Sequence, residues 1–339
     1  MADFDDTRLD DPQVLTAADD QLRHLASAGA RMRRAAVAAE EVLADVGPEQ
    51  PRAVLVVGPE ARLLRAVLEP TCPVPFVAWP APQLPSWVGA LDLVVVLASG
   101  DEMRDEALHA PVHEAVRRGA RLLVACPAES QLASCAKSTS TTVLPTTEVD
   151  ELAVAVVMLQ ALAQIGVGPA VDPQLVAEAL DMVAEDCSPF RDIATNPAKE
   201  LALVLAEATP LVWGGSVLAA RAGRRVAELL RAASGRAALA ADSSELHTVI
   251  AGLAPHDPFR DPFEDPQEAR PALVILDDGD ETDQVAAQDR ALEQIAADRH
   301  VRVWRAAQGR GSVMERYAAL LHTGRYGAAY LALGLDTLS

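Results

Sequence analysis

Short continuous runs of apolar residues alternate with longer segments in which apolar residues recur at helical spacing. AVLVVG (53–58) and LDLVVVLA (91–98) have the length and composition of strands covered on both faces of a sheet. Similar runs predict strands at 73–79, 120–126, 141–145, 210–213, 272–276 and 301–305. Strands that alternate with helices connect through right-handed crossovers, so the pattern predicts an α/β fold with mostly parallel sheets.

Helical spacing fills the intervals between these strands. The segment from Leu9 to Val46 predicts one or two helices before the first strand. The other predicted helices cover residues 61–68, 102–118, 151–165, 174–184, 196–208, 282–299 and 312–333. A proline-rich and acidic segment, 254–271, is too broken for regular structure; an active-site lid, a partner contact and a disordered linker all fit it.

The alternation occurs twice along the 339 residues, which predicts two related domains. We expect a helical segment at 1–48, a first domain at 49–168 and a second domain at 169–339 that ends in the C-terminal helix. The boundary is placed at the glycine- and proline-containing stretch 166–173. Each domain is expected to have three layers, with helices on both faces of a mostly parallel sheet.

The stretch 210–252 is the first candidate for chemistry. It predicts a strand, the turn Gly214, Gly215, Ser216, a helix, a second short strand, and then Glu245 and His247 at a strand end. Backbone N–H groups at the start of a helix attract anions, and glycine permits close approach. Such glycines are also needed for the turn alone, and this structural role is the favoured interpretation.

Charge and composition exclude several classes of function. The formal net charge of −20 opposes binding to nucleic acid or to an anionic membrane. The acidic start lacks the features of a signal peptide, and no apolar run is long enough to span a bilayer, so a cytoplasmic protein is expected. The four cysteines form no CxxC pair, which argues against a zinc site or a disulfide framework.

Two further patterns are expected to bind no metal. His109 and His113 lie four residues apart, but Pro111 between them is expected to place them at a helix start, and no third ligand is evident. The acidic run DDGDE (277–281) lacks the spacing of a calcium loop and is interpreted as a solvated turn.

Several segments resemble the bifunctional phosphoglucose/phosphomannose isomerase family, whose members contain two sugar isomerase (SIS) domains. The resemblance rests on NPAKELA (196–202), PLVWGGSVLAARAGRR (210–225), SELHTVIAG (244–252), RPALVILDDGDETDQVAAQDR (270–290) and GSVMERYAALLHTGRYGAAYLALGLDTL (311–338). It implies two SIS-type domains, a homodimer, and aldose–ketose isomerisation of a six-carbon sugar phosphate without metal or organic cofactor. It also places Ser99 and Gly100 in the family's phosphate loop.

The resemblance implies a glutamate base and a histidine that opens the sugar ring across the dimer interface. His247 matches the histidine, but Ala233 or Ser234 stands where the glutamate belongs, and Arg236 where a lysine belongs. No lysine is available in the C-terminal segment, and Arg305 or Arg310 could replace one.

The phosphate loop departs from the family as well. Asp101 and Glu102 follow Ser99 and Gly100, where Asn and Thr would donate hydrogen bonds, and two carboxylates repel a phosphate. Two functions remain. The favoured one is a non-catalytic site that binds a sugar phosphate or related carbohydrate derivative through Gly214, Gly215 and Ser216. The alternative is an active isomerase that interconverts glucose 6-phosphate or mannose 6-phosphate with fructose 6-phosphate, with Glu245 as base and His247 as ring opener.

Overall fold

A computed structural model describes residues 4–58, 61–80, 82–98, 102–146, 150–254, 270–280 and 282–337, apart from the side chains of 102–104. The chain divides into two compact units. Ala28–Glu178 form the N-terminal unit, and Met1–Ser27 together with Ala179–Ser339 form the C-terminal unit. The chain therefore begins in the C-terminal unit, leaves it at Ser27 and returns to it at Ala179.

Helices and strands alternate as the sequence predicted. The strands are β1 Val54–Val57, β2 Phe76–Trp79, β3 Leu93–Leu97, β4 Arg121–Cys126, β5 Thr141–Pro145, β6 Thr209–Gly214, β7 Leu239–Ala240, β8 Pro271–Asp277 and β9 Arg302–Ala307. The α-helices are α1 Pro12–Ala17, α2 Asp19–Ala26, α3 Ala28–Ala44, α4 Ala61–Leu68, α5 Glu102–Arg117, α6 Gln131–Cys135, α7 Glu151–Ile165, α8 Pro173–Asp186, α9 Pro197–Leu205, α10 Val217–Ser234, α11 Ser243–Ala251, α12 Asp283–Asp298 and α13 Val313–Gly334. The predicted α/β class is confirmed.

The described residues of the N-terminal unit form a five-stranded parallel sheet in the order β2-β1-β3-β4-β5. Its central strands are buried on both faces, which explains why they are continuous apolar runs. The side chain of Asp150 caps α7 by accepting hydrogen bonds from the backbone N–H groups of Leu152 and Ala153. Arg31 of α3 pairs with the same carboxylate in a buried ion pair, so α3 and α7 are joined.

In the C-terminal unit, the described residues form a four-stranded parallel sheet in the order β7-β6-β8-β9. The chain passes from β6 through α10 to β7 on one side, and β8 then pairs with the other side of β6. The direction of winding thus reverses between β6 and β8. In open parallel sheets, ligands bind outside the carboxyl ends of the strands at such a switch point.

The helix α13 is buried along almost its whole length in the C-terminal unit. Its glycines allow close packing, because a Cβ on Gly324 would overlap Val226 of α10 and a Cβ on Gly327 would overlap Leu201 of α9. Gly334, at the end of the helix, packs against Phe4 and accepts a hydrogen bond from the backbone N–H of Asp5.

The beginning of the chain is held to the C-terminal unit by polar contacts as well. Arg8 donates to the carbonyl of Leu333 and pairs with Asp336. The ammonium of Lys199, whose side chain is fully buried, donates to Asp10 Oδ1 at 2.5 Å.

Three local predictions require correction. The segment before β1 forms a 3₁₀ turn and three α-helices rather than one or two helices. Pro111 lies inside α5 rather than at its start, so His109 and His113 are within one helix. His247 lies in the middle of α11 and not at a strand end. Among the described residues, no helix is both long enough and apolar enough to cross a membrane.

Candidate functional site

A cavity of about 250 Å³ opens at the switch point of the C-terminal sheet. It lies between the carboxyl ends of β6 and β8 and the beginning of α12. The described residues that line it are Trp213, Gly215, Leu276, Asp277, Asp278, Gly279, Asp280, Val285, Ala286, Asp289 and Arg305. Its volume is below the roughly 300–1,000 Å³ of drug-sized ligand pockets, so it suits a ligand the size of a single sugar ring.

The glycine turn borders this cavity but is fully explained by packing. A Cβ on Gly214 would overlap the backbone of Ala219, and a Cβ on Gly215 would overlap Val285 of α12. Ser216 is the N-cap of α10, and its Oγ accepts a hydrogen bond from the N–H of Ala219 at 2.9 Å. Of the three predicted ligand-binding residues, only Gly215 lines the cavity.

Arg305 is the cation of the cavity wall, and carboxylates surround it. Its Nη2 donates to both oxygens of Asp289 at 2.8 and 2.7 Å and to Glu293 Oε1 at 2.7 Å, while Nη1 donates to Asp277 Oδ2 at 3.2 Å. Burial lowers the pKa of Arg305, but the hydrogen bonds to Glu293 and Asp289 outweigh that effect and raise it above the ordinary value. The guanidinium is therefore engaged with neighbouring acids.

Three of the four cavity-lining carboxylates accept hydrogen bonds within the described residues. Asp277 accepts from the N–H of Gly279, Asp280 accepts from the N–H of Thr282, and Asp289 accepts from Arg305. The carboxylate of Asp278 accepts none from the described part of the chain, although its side chain is only 6% exposed; Arg316 Nη1 lies 3.9 Å from it.

The charge of the cavity opposes a phosphate. Four aspartates and one arginine are present among its described lining residues, so the lining carries a clear excess of negative charge. At 4 Å and an effective dielectric of about 20, each pair of like unit charges is repelled by about 4 kcal/mol. One such contact is larger than the roughly 1.5–3 kcal/mol that a hydrogen bond to a charged group contributes.

Glu245 and His247 do not line the cavity. Both are exposed on α11, which begins after the short edge strand β7. Asp242 caps this helix by accepting from the N–H of Glu245 at 3.1 Å. Hydrogen bonds from the Ser244 hydroxyl and from this N–H lower the pKa of Asp242. The predicted base and ring opener thus lie on a helix that packs against α12 and β6, but their side chains do not enter the cavity.

The positions aligned with the family's glutamate and lysine lie near the amino ends of the strands, at the end of the sheet opposite to the cavity. Ala233 and Ser234 end α10, which starts at the cavity edge and is 18 residues long, so they are about 25 Å away along the helix axis. Arg236 donates to the backbone carbonyls of Leu205 and Ala206. The side chains of Ser234 and Arg236 therefore make structural contacts.

The phosphate loop that the resemblance predicts for the first domain lies outside the described residues. Ser99, Gly100 and Asp101 lie outside the described residues, as do the side chain of Glu102 and residues 255–269 of the acidic segment.

The acidic turn after β8 is the feature that the sequence interpretation missed. Asp277, Asp278 and Asp280 were assigned to a solvated turn, yet they line the cavity. Their position directly after an apolar strand was the available signal, because the carboxyl ends of parallel strands form the binding edge.

The described residues contain neither a group of side chains that could bind a metal ion nor a disulfide bond. No group of three or more His, Cys, Asp or Glu side chains there is arranged to hold a metal ion. All four cysteines are free thiols. Burial raises the pKa of the Cys187 thiol to about 12, so it is unreactive at neutral pH.

Comparison with known proteins supports the SIS assignment. Residues 194–337 match the family model of the bacterial phospho-glucose isomerase C-terminal SIS domain. No curated protein matches the chain at a significant level.

Similar solved structures cover nearly the whole chain. A glucose-6-phosphate isomerase like protein from Thermus thermophilus is 18% identical over 98% of this chain and 93% of its own, with a TM-score of 0.56. The C-terminal domain of glucosamine-fructose-6-phosphate aminotransferase from Francisella tularensis is 11% identical over 93% and 96%, with a TM-score of 0.64. Tagatose-6-phosphate ketose/aldose isomerase from Escherichia coli is 14% identical over 93% and 92%, with a TM-score of 0.63. The chain therefore has the SIS-type α/β fold of phosphosugar isomerases, and its residues 194–337 are similar to the C-terminal SIS domain of bacterial phosphoglucose isomerase.

Proposed function

We propose that this protein binds a carbohydrate derivative in the switch-point cavity and does not isomerise sugar phosphates. The observation that carries the proposal is the state of Arg305. It is the only cation among the described lining residues, and it is already paired with Asp277, Asp289 and Glu293. A site with this wall can hydrogen-bond hydroxyl groups, since carboxylates are strong acceptors, but it offers little to a phosphate dianion.

The missing acid–base pair supports the non-catalytic part of the proposal. Isomerisation needs a base within hydrogen-bond reach of the C1 and C2 protons and a second group at the ring oxygen. Ala233 provides no base, and Glu245 and His247 are exposed on α11 rather than lining the cavity. The described residues that line the cavity include four aspartates but no histidine that could act together with one of them.

Deuterium exchange tests the proposal directly. Purified protein is incubated in D₂O with glucose 6-phosphate, mannose 6-phosphate or fructose 6-phosphate, and deuterium at C1 and C2 is followed by NMR. We expect no exchange above the protein-free rate. Exchange that is lost in His247→Ala and Glu245→Gln, and is kept in Thr248→Ala on the same exposed face, would refute the non-catalytic proposal. Carbohydrate binding is measured separately by thermal shift.

The exposed surface of α11 favours one second candidate, an isomerase whose site is completed by a second copy of the chain. Val249 is 40% exposed on this helix, on the same short segment as Glu245 and His247. Glu245 and Val249 lie four residues apart and therefore on one face of α11, so a homodimer through this face would bury both side chains. Light scattering after size exclusion gives the mass, and a dimer that is disrupted in Val249→Asp and shows exchange only when intact would establish this candidate. A monomer without exchange excludes it.

The cytoplasmic location expected from the sequence stays a prediction. Sugar phosphates and their derivatives are charged, polar metabolites that do not cross a bilayer freely, since polar groups are costly to move into hydrocarbon. Microscopy of the tagged protein in its own cells would test the location.

A further inference from the structure

The two halves of α12 are held to the protein in different ways. In the second half, Leu292 and Ala296 are buried in one apolar cluster with Leu246 and Ile250 of α11. None of residues 283–291, all of which the structure describes, is buried. A segment with few buried apolar contacts opens at a lower free energy than the core beside it. The first half of α12 should therefore open more easily than the second.

Ion pairs hold the helix at this end instead. Arg305 of β9 donates to both carboxylate oxygens of Asp289 and to Glu293, and the same guanidinium donates to Asp277 at the end of β8. Asp289 and Glu293 are four residues apart and share one face of α12. These four side chains, here called the ion-pair clasp, are between 23% and 46% exposed, so water screens their attraction. The clasp joins α12 to two strands without a buried contact.

The first half of α12 also forms one wall of the switch-point cavity. Val285, Ala286 and Asp289 are among the lining residues. Val285 packs closely against Gly215, where a Cβ would overlap the valine side chain. Movement of this half of the helix away from the sheet would separate Val285 from Gly215 and widen the cavity.

We propose that residues 283–291 are a hinged wall of the switch-point cavity and that Arg305 holds this wall closed through the ion-pair clasp. The hinge lies where the buried half of the helix begins, at Leu292. When Asp289 and Glu293 separate from Arg305, the wall opens and a ligand can enter or leave the cavity. The nature of that ligand rests on the proposed carbohydrate-binding function, whereas the opening itself is measured without a ligand.

Hydrogen exchange followed by mass spectrometry compares the two halves of the helix in the full chain. In Arg305→Met, the amides of residues 287–291 should exchange about tenfold faster than in the wild type, and those of residues 294–298 should change less than twofold. Tenfold corresponds to about 1.4 kcal/mol, near the lower end for a charge-assisted hydrogen bond, because the clasp is partly exposed. Arg302→Met is the matched control, because Arg302 is exposed on the same strand and donates to the carbonyl of Leu203 rather than to α12.

Thiol labelling measures the opening on the cavity side of the helix. A cysteine placed by Ala286→Cys lies in the cavity lining, whereas one placed by Ala287→Cys lies on the exposed side. Arg305→Met should accelerate labelling of the first by about tenfold and leave labelling of the second within twofold. Peptide mapping separates these thiols from the four native cysteines.

The wild-type protein gives a test that needs no variant. After correction for intrinsic rates, residues 287–291 should exchange at least tenfold faster than residues 294–298. Equal protection of the two halves would overturn the hinged wall. A change below twofold at residues 287–291 in folded Arg305→Met, or equal acceleration of both halves, would overturn the role of Arg305. No thermal shift with glucose, glucosamine or glucose 6-phosphate would instead overturn the proposed function and leave the wall and its clasp standing.

Discussion

The contact between Lys199 and Asp10 offers a quantitative test of how the C-terminal unit is held together. The Lys199 side chain is fully buried, and its Nζ donates to Asp10 Oδ1 at 2.5 Å, to the carbonyl of Pro189 at 2.9 Å and to that of Arg191 at 3.1 Å. The ammonium also lies 5.6 Å from the centre of the Tyr330 ring. Asp10 is the one carboxylate paired with it among the described contacts.

Asp10→Asn leaves the buried ammonium with neutral acceptors alone. Removing one partner of a fully buried pair costs about 3–5 kcal/mol. Asp10 is 55% exposed, so water screens part of the attraction, and we expect a loss of about 2 kcal/mol. For a unit of this size, that corresponds to a fall in melting temperature of about 4–8 °C.

A double-mutant cycle with Lys199→Met separates the pair from other effects. Once the ammonium is absent, Asp10→Asn should cost less than about 0.5 kcal/mol, so the coupling energy should be close to 2 kcal/mol. Asp20→Asn, an exposed carboxylate of α2, controls for the general loss of negative charge. Equal destabilisation by Asp10→Asn in both backgrounds would refute the assignment of the loss to this contact.

Three further predictions concern other parts of the molecule. Cys187 should react with a thiol reagent at pH 8 about a thousandfold more slowly than an ordinary cysteine, because its pKa of about 12 leaves little thiolate; rapid labelling in the native state would contradict its burial. Gly215→Ala should cost about 1–3 kcal/mol of unfolding free energy in urea titrations, because its Cβ would overlap a valine of α12, whereas Gly47→Ala has open space and should cost little. Arg31→Met should cost about 3–5 kcal/mol, since the buried Asp150 carboxylate loses its cation; a melting temperature equal to that of wild type would exclude this role.

Most of the strands were predictable because strands that are buried on both faces of a parallel sheet are short, continuous apolar runs. LVVVL at Leu93–Leu97 is buried at every position, and its short length, its β-branched residues and the glycine that follows it favour a strand over a buried helix. The helix at Ser243–Ala251 was not recognised, although Asp242 followed three residues later by Glu245 is a signature of a helix start. The short, mixed segment had no clear apolar period, so capping was the stronger local signal.

The residues of the candidate site were harder to predict from the sequence than the strands and helices. Lys199 and Asp10 are 189 residues apart, and no local pattern relates them. The roles of Glu245 as base and of His247 as ring opener stay predictions. The cavity carboxylates lie in an acidic run that resembles any solvated turn, and only the position of that run between β8 and α12 gives it significance.

The return of the chain to its first unit has a consequence for synthesis in the cell. Phe4 and Asp5 make their contacts with Gly334, about 330 residues later. At roughly 5–20 residues per second, the ribosome needs about 15–65 seconds to produce α13 after the first helices have emerged. The segment Ala28–Glu178 contains its own sheet and can fold during this interval. During this interval the apolar side chains of the N-terminal segment stay exposed to solvent, among them Leu9, Leu22 and Leu25, which are buried in the folded protein. Exposed apolar surface on a nascent chain is what chaperones bind, so we expect them to bind this segment.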